Sequence, residues 1–306
     1  MSPHAKSVTA GLVAISLWSW SFALSRSLAE QLGVATAAAC VCLTAGVVGS
    51  IFAILTGWHR PALAGLSTRR IALLGGLFAA YQATIYAALG MAHDRASFLV
   101  VTVINYLWPG LTILLAIPLL GRHFRAALIP GLAVAFFGVL LGTFSGGDVS
   151  PTALRAGIAQ NLLPYGLALF AAACWALYSN LVARWAKGAG SGLVPFYFLA
   201  AGAALCPMGV LDPREAAWSA GAVVELFALA VGVMLAGYVA WDYSMRRRES
   251  ELVPALSYLI PLPSIAVSGA YLDIPIGGQL IAASVLVIAG SAICWRSVAK
   301  SRERPG

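Results

Sequence analysis

The residues with chemical potential in this chain are aromatic and amide side chains set inside apolar runs. Trp18, Trp20, Tyr81, Gln82, Tyr86, Asn105, Tyr106, Trp108, Trp175, Tyr178, Asn180, Tyr238, Trp241, Tyr243 and Tyr258 all sit among Ala, Leu, Val, Ile and Gly. On a helix, Gln82 and Tyr86 share a face, as do Asn105 and Trp108, Trp175 and Tyr178, and Tyr238 and Trp241, because each pair is three or four residues apart. Tyr81 and Tyr86 are five apart and diverge by about 140°. A buried Trp or Tyr needs a partner for its N–H or O–H, and polar groups within a membrane are costly unless they line a site. We therefore expect Trp18, Tyr81, Gln82, Asn105, Tyr106, Trp108, Trp175, Tyr178, Tyr238, Trp241 and Tyr258 to line a shared polar-aromatic cavity, with ordinary helix packing as the alternative.

This is a set for binding rather than catalysis. Paired aspartate motifs for diphosphate-bound magnesium are absent, as are HExxH and a serine–histidine pair within the apolar runs. The five cysteines lie in apolar stretches and read as small core residues, not a disulfide framework or a metal site. No cofactor is expected. Carboxylates are few. Arg26 and Glu30 lie one helical turn apart, and so do Asp242 and Arg246. Asp242 reads as one half of a helix-end ion pair, the alternative being a proton or cation site.

The elements that must position these residues are membrane helices. Of 306 residues, 60% are hydrophobic and 10% charged, against about 25% charged in a soluble domain. That excludes an ordinary soluble enzyme and a disordered chain, and the long unbroken runs do not fit a β-barrel. The net charge of +8 resides in short loops between apolar runs, so it points to a lipid bilayer and not to nucleic acid. Spans of about 20 apolar residues are expected at 8–29, 34–57, 71–92, 96–120, 126–144, 164–185, 192–211, 223–245, 252–272 and 275–295. The first run is too long for a cleavable signal and has no cleavage site after it. With both termini cytoplasmic, fifteen of the 19 Lys and Arg residues fall inside, leaving only Arg26, Arg95, Arg155 and Arg214 outside.

The chain also repeats. Trp18 matches Trp175, and Tyr81 and Tyr86 match Tyr238 and Tyr243, all at an offset of 157. Asn105-Tyr106-Leu107-Trp108-Pro109 matches Ser257-Tyr258-Leu259-Ile260-Pro261 at an offset of 152. Each half holds five spans, an odd number, so the second half enters the membrane inverted. The corresponding loops carry opposite charge bias, as that requires. The fold class expected is an all-α polytopic membrane protein of ten transmembrane helices in two inverted five-helix repeats, 1–150 and 151–306, forming one structural unit. Pro109 and Pro261 fall within the fourth and ninth spans at equivalent positions and read as hinges, with a static kink as the alternative. A monomer is expected, with a dimer through Gly138 and Gly142 as the other possibility.

These patterns resemble the ten-helix drug/metabolite transporter superfamily. The likeness lies in Leu17-Trp18-Ser19 and Cys174-Trp175-Ala176, and in the two proline-ending motifs. It covers essentially the whole chain. The Asn-Tyr-Leu-Trp-Pro string at 105–109 is similar to the bacterial aromatic amino acid exporter branch, while Ser257–Pro261 lacks its Asn and Trp. The resemblance implies a bacterial inner-membrane transporter that exports Phe, Tyr and Trp, and related small metabolites, by alternating access. Such zwitterions carry no net charge and need no fixed countercharge. Their rings would pack on Trp and Tyr faces and their ammonium would lie over a ring. Their carboxylate would take hydrogen bonds from Asn105, Gln82 or a Tyr hydroxyl. The alternatives are a broad drug or dication exporter of the same superfamily, for which Asp242 is the candidate acid, and an intramembrane enzyme.

Overall fold

The computed structural model describes residues 3–91, 101, 104–121, 125–144, 162–186, 190–210, 216–246, 252–260, 263, 266–267, 270 and 278–299. Among these residues the protein is helical, with no strand. The elements are α1 (Pro3–Leu32), α2 (Val34–Thr56), α3 (Arg60–Gly65), α4 (Thr68–Gly90), α5 (Trp108–Leu120), α6 (Leu128–Phe144), α7 (Leu162–Trp185), α8 (Val194–Val210), α9 (Ala220–Met245), α10 (Leu252–Leu256) and α11 (Gly278–Ala299). Five of them, α1, α2, α4, α7 and α9, are long and apolar enough to cross a membrane. A helix of 23 residues such as α2 rises about 35 Å, more than the roughly 30 Å of bilayer hydrocarbon. The shorter α5, α6 and α8 are apolar too. This is a multi-pass membrane protein.

The ends of these helices follow from local chemistry. Gly33 joins α1 directly to α2 with φ of 82°, a left-handed value that a side chain would strain. Gly57, at φ 70°, ends α2, its N–H returning to the Ile54 carbonyl. Pro61 in the first turn starts α3, a short helix where the sequence suggested only a loop. The Ser219 Oγ accepts from the Ala222 N–H at 3.0 Å and caps α9.

Three of the expected spans are not plain helices. The fourth was expected to run unbroken over 96–120. Instead the chain turns at Tyr106–Leu107, and α5 starts at Trp108. Pro109 therefore sits in a first helical turn, where its missing N–H would have had no partner anyway. It does not kink a continuous helix. In the ninth expected span, α10 passes into a tighter single turn at Ser257–Leu259. Pro261, residues 93–95, the linker 145–161 and the turn at 273–275 lie outside the described residues. The eighth expected span is one helix in length but not in form. Its middle, Ala228–Leu235, is wound as a π-helix between α-helical ends, with the Ala236 N–H reaching back to the Val231 carbonyl.

The helices pack as a set of pairs. α2 lies on α8, and α6 lies on α11. α4 lies on α7 while α1 lies on α9. α5 lies on α7 while α1 lies on α10, and α4 lies on α8 while α2 lies on α9. Small residues permit the closest approaches, as is usual where lipid supplies no hydrophobic drive. A methyl on Gly46 would meet Leu199 at 2.6 Å, and one on Gly202 would meet Leu43 at 2.7 Å. A methyl on Gly131 would lie 3.0 Å from the Cys294 Sγ, and one on Gly290 would lie 2.4 Å from Ala135. Each seam thus docks a glycine from one helix against a larger residue of the other, twice over. Large apolar side chains such as Leu55 and Val210 point outward, toward lipid.

Candidate functional site

Six helices converge their rings on one region. The Trp18 ring on α1 has its centroid 6.3 Å from Trp108 on α5, 6.0 Å from Trp175 on α7, 5.0 Å from Tyr238 and 5.4 Å from Trp241, both on α9. Trp175 stacks on Tyr178 at 5.2 Å and 20°, and its centroid lies 5.1 Å from Tyr81 on α4. Trp108 meets Trp241 edge-on at 5.1 Å. All these separations suit favourable ring pairs. Trp175, Tyr178 and Trp241 are fully buried, whereas Trp18 and Tyr81 keep part of their surface open. The half-open rings form the accessible wall of the cluster.

Polar groups are threaded through the rings. The side chain of Tyr81 interacts with Tyr238 and with Asn105. The Trp241 Nε1–H donates to the Ser179 Oγ at 3.1 Å. Three polar atoms of the cluster are buried with no hydrogen-bond partner among the described residues: the Trp18 Nε1, a donor, the Asn105 Oδ1, an acceptor, and the Tyr197 Oη. A buried polar atom without a partner costs about 1–3 kcal/mol. Trp18 is also held against the backbone of α9, since a methyl on Gly237 would lie 2.7 Å from its Nε1.

On the side of the rings toward the N-terminus lies a charged network. The Tyr178 Oη donates to the Asp242 Oδ1 at 2.8 Å, and the Arg246 Nε donates to the Asp242 Oδ2. The Arg246 Nη1 donates to the Ala186 carbonyl at 3.3 Å. Asp242 is 0% exposed and Arg246 5%. The Ser7 Oγ donates to the Ser244 carbonyl at 3.1 Å, which puts the start of α1 at this same end of the bundle. Asp242 is thus paired with Arg246, as the spacing of four indicated.

Relatives of this chain bear on its family. The aromatic amino acid exporter YddG of Salmonella typhimurium is 31% identical over 293 residues, which is 95% of this chain and 97% of that one. The chain belongs to the YddG family. The YddG of Escherichia coli K12 is 30% identical over 95% of this chain and 97% of its own, and that of Ancylobacter novellus is 31% identical over 92% and 94%. No family model matches the chain. A solved crystal structure superimposes with a TM-score of 0.79 over 98% of this chain and 99% of that one, at 22% identity, a likeness of fold alone.

In this YddG-family chain the residues singled out in the sequence divide into groups. Trp18, Tyr81, Trp108, Trp175, Tyr178, Tyr238 and Trp241 come together, and Asn105 meets them through Tyr81. Gln82 is buried beside Tyr81 on α4, at 2% exposure. Tyr106 and Tyr258 sit to one side, with Tyr106 still within electrostatic reach of Tyr81. They share a smaller cluster with Leu132, Ala135 and Val287, between α5, α6 and α11. There a methyl on Gly110 would lie 2.9 Å from the Tyr258 Oη, so the two interrupted spans meet next to Pro109. Asn180 is structural, its Nδ2 donating to the carbonyls of Thr112 and Ala176, both at 2.9 Å, and tying α7 to α5.

Three cluster residues were not anticipated. Phe78 packs its ring against Trp175, Tyr178 and Tyr238. Tyr197 and Phe198 on α8 close the far side. Phe78 stands three residues before Tyr81 and four before Gln82, a spacing that would have placed it on their face. Among the described residues no group of His, Cys, Asp and Glu is arranged to hold a metal ion.

Proposed function

We propose that this protein exports the aromatic amino acids Phe, Tyr and Trp, and related small metabolites, across the bacterial inner membrane. The observation that carries the reading is the ring cluster with a donor and an acceptor, Trp18 Nε1 and Asn105 Oδ1, that have no partner among the described residues. An aromatic zwitterion supplies what this site lacks. Its carboxylate accepts from the Trp18 N–H, its ammonium donates to the Asn105 carbonyl oxygen, and its ring packs on the half-open faces of Trp18 and Tyr81. The ligand is neutral overall and so is the site, because Asp242 is already bonded by Arg246 and Tyr178. That pairing counts against the dication reading, which needs a carboxylate available to its cargo. The named relatives are exporters, which favours transport over catalysis. Trp18, Tyr81, Gln82, Asn105, Trp108, Trp175, Tyr178, Tyr238 and Trp241 form the substrate site in this reading. Tyr106 and Tyr258 flank it, at the interrupted spans.

The mechanism we propose is alternating access between two inverted repeats, 1–150 and 151–306, ten spans in all with both termini cytoplasmic. The packing pairs support it. Exchanging each span with the one five places later turns the α4–α7 pair into α9–α1, α5–α7 into α10–α1, and α4–α8 into α9–α2. All of these are present. It leaves α2–α8 and α6–α11 as they are, and the reciprocal glycine contacts lie on those two seams. Pro109 and Pro261 mark the interrupted spans where bending is easiest. The Lys and Arg distribution supports the orientation.

Counterflow in proteoliposomes tests the reading directly. Labelled Phe and Trp should exchange, and labelled Lys and a quaternary dication should not. Trp108→Ala should abolish that exchange, while Trp218→Ala, at a residue 53% exposed on the periphery, should leave it intact. Equal effects from the two substitutions would reduce the ring cluster to packing.

A further inference from the structure

Asp242 lies beyond the reach of a ligand seated among the half-open rings, yet it is bonded to a residue that such a ligand would feel. Its carboxylate accepts from the Tyr178 Oη at 2.8 Å, and the ring of Tyr178 is stacked on Trp175. Three polar bonds here cross between α9 and the α7 side: Asp242 with Tyr178, Trp241 with Ser179, and Arg246 with the Ala186 carbonyl. The network is dry, with Asp242 at 0%, Tyr178 at 1% and Arg246 at 5% exposure. A buried ion pair is a poor way to gain stability, because an apolar pair of similar volume does as well. The chain itself carries such an apolar pair. Ile85 and Leu89 stand 157 residues before Asp242 and Arg246, with Ser21 in the place of Tyr178.

We propose that Asp242 is a positioning residue that couples closure of the N-terminal end of the bundle to the aromatic site. It rests on the site reading given above, but closure can be measured without it. When α7 and α9 part, Asp242 and Arg246 stay together because both ride on α9. The Tyr178 hydroxyl, the Trp241 Nε1–H and the Ala186 carbonyl lose their partners, while Asp242 and Arg246 keep each other's charge matched. In the closed form Asp242 fixes the Tyr178 ring, and Tyr178 fixes the face that Trp175 offers to the cluster. Opening this end therefore releases the stack, and a ligand that needs the stack favours the closed end.

The test uses the full-length protein in liposomes, with its native cysteines replaced and Ser244→Cys introduced. Ser244 is 0% exposed at the closed end. The reporter is an impermeant maleimide applied from that side. Tyr178→Phe, and separately the pair Asp242→Ile with Arg246→Leu, should raise its labelling rate about tenfold, the loss of one hydrogen bond to a charged group. A second reporter, Thr84→Cys at the opposite end, should not label faster in either variant. Phe binding to Tyr178→Phe, read by tryptophan fluorescence, should weaken as the N-terminal end opens. Hydrogen exchange at 178–186 and 242–246 in variants with native cysteines gives the same readout should the cysteine-free protein not fold.

Unchanged labelling and exchange at Ser244 overturn the positioning role, and so does an equal rise at both reporters, which is mere loosening. Failure of Phe to bind the parent protein, with the Ser244 response intact, overturns the aromatic reading alone.

Discussion

The two ends of the bundle are bonded in different ways. At the N-terminal end, Tyr178, Trp241 and Arg246 direct their polar atoms from one helix to another. At the opposite end, residues 157 positions earlier turn theirs inward. The Ser21 Oγ donates to the Trp18 carbonyl of its own helix, and the Thr84 Oγ1 to the Ala80 carbonyl of its own, while Ile85 and Leu89 are apolar. α7 and α9 pack together, but α1 and α4 are not a packed pair. Bonds within a helix travel with it, so they neither resist nor favour movement. Bonds between helices must be given up. Bonds between helices thus tie α7 to α9 at one end, where the other end has bonds within single helices.

Removing one charge should break this contrast most strongly. Asp242→Ala strands Arg246 in a buried place and should cost about 3–5 kcal/mol of stability, read by thermal unfolding in detergent. Replacing both members, by Asp242→Ile with Arg246→Leu, should restore nearly all of it, since the N-terminal end would then hold the residues of its counterpart. A double variant as unstable as the single would mean that the two ends differ in shape and not only in bonding.

The next effect concerns the approach of α1 to α9. Gly237 stands at the place where the first half has Ala80. Gly237→Ala should push against Trp18 and cost about 1–3 kcal/mol, with weakened substrate binding. Gly232→Ala, whose added methyl meets nothing within 4 Å, should stay within about 0.5 kcal/mol. Fluorescence-monitored unfolding of the two variants, side by side, decides between close packing and slack.

The smallest differences should come from single hydroxyls. Tyr178→Phe leaves a buried carboxylate oxygen short of a donor and should cost about 1–3 kcal/mol. Ser21→Ala removes a bond that a helix makes to itself and should change stability by less than about 0.5 kcal/mol. A Ser21→Ala effect as large as that of Tyr178→Phe would show that α1 is braced through Ser21 after all.

Much of this architecture could be read from residue order. The long helices follow from uninterrupted apolar length, and the Asp242–Arg246 pair from its spacing of four. Spacing also grouped Trp175 with Tyr178 and Tyr238 with Trp241. Periodicity reports which face of a helix a residue occupies, but not which helix it faces. That is why the Tyr178–Asp242 bond, made across 64 residues of sequence, could not be anticipated. For the same reason the smaller cluster that Tyr106 and Tyr258 share between α5, α6 and α11 could not be told apart from the main one. The π-wound stretch of α9 leaves no mark in composition, because Ala228–Leu235 is as apolar as any helical run. Tyr197 and Phe198 were hidden by the frequency of aromatics in lipid-facing sequence, where a ring alone carries little information.

The one-residue link at Gly33 makes one unit of two helices. α1 ends at Leu32 and α2 starts at Val34. With no length of chain between them, neither helix can shift along its axis without carrying the other. Residues 31–33 form the tip of this hairpin and carry neither Lys nor Arg. Its one polar side chain, Gln31, finds Glu225 and Ser219 across the bundle, while the Gln31 carbonyl takes the Ala217 N–H. A displacement of either helix is therefore felt at once by the far half of the chain, through the same three residues.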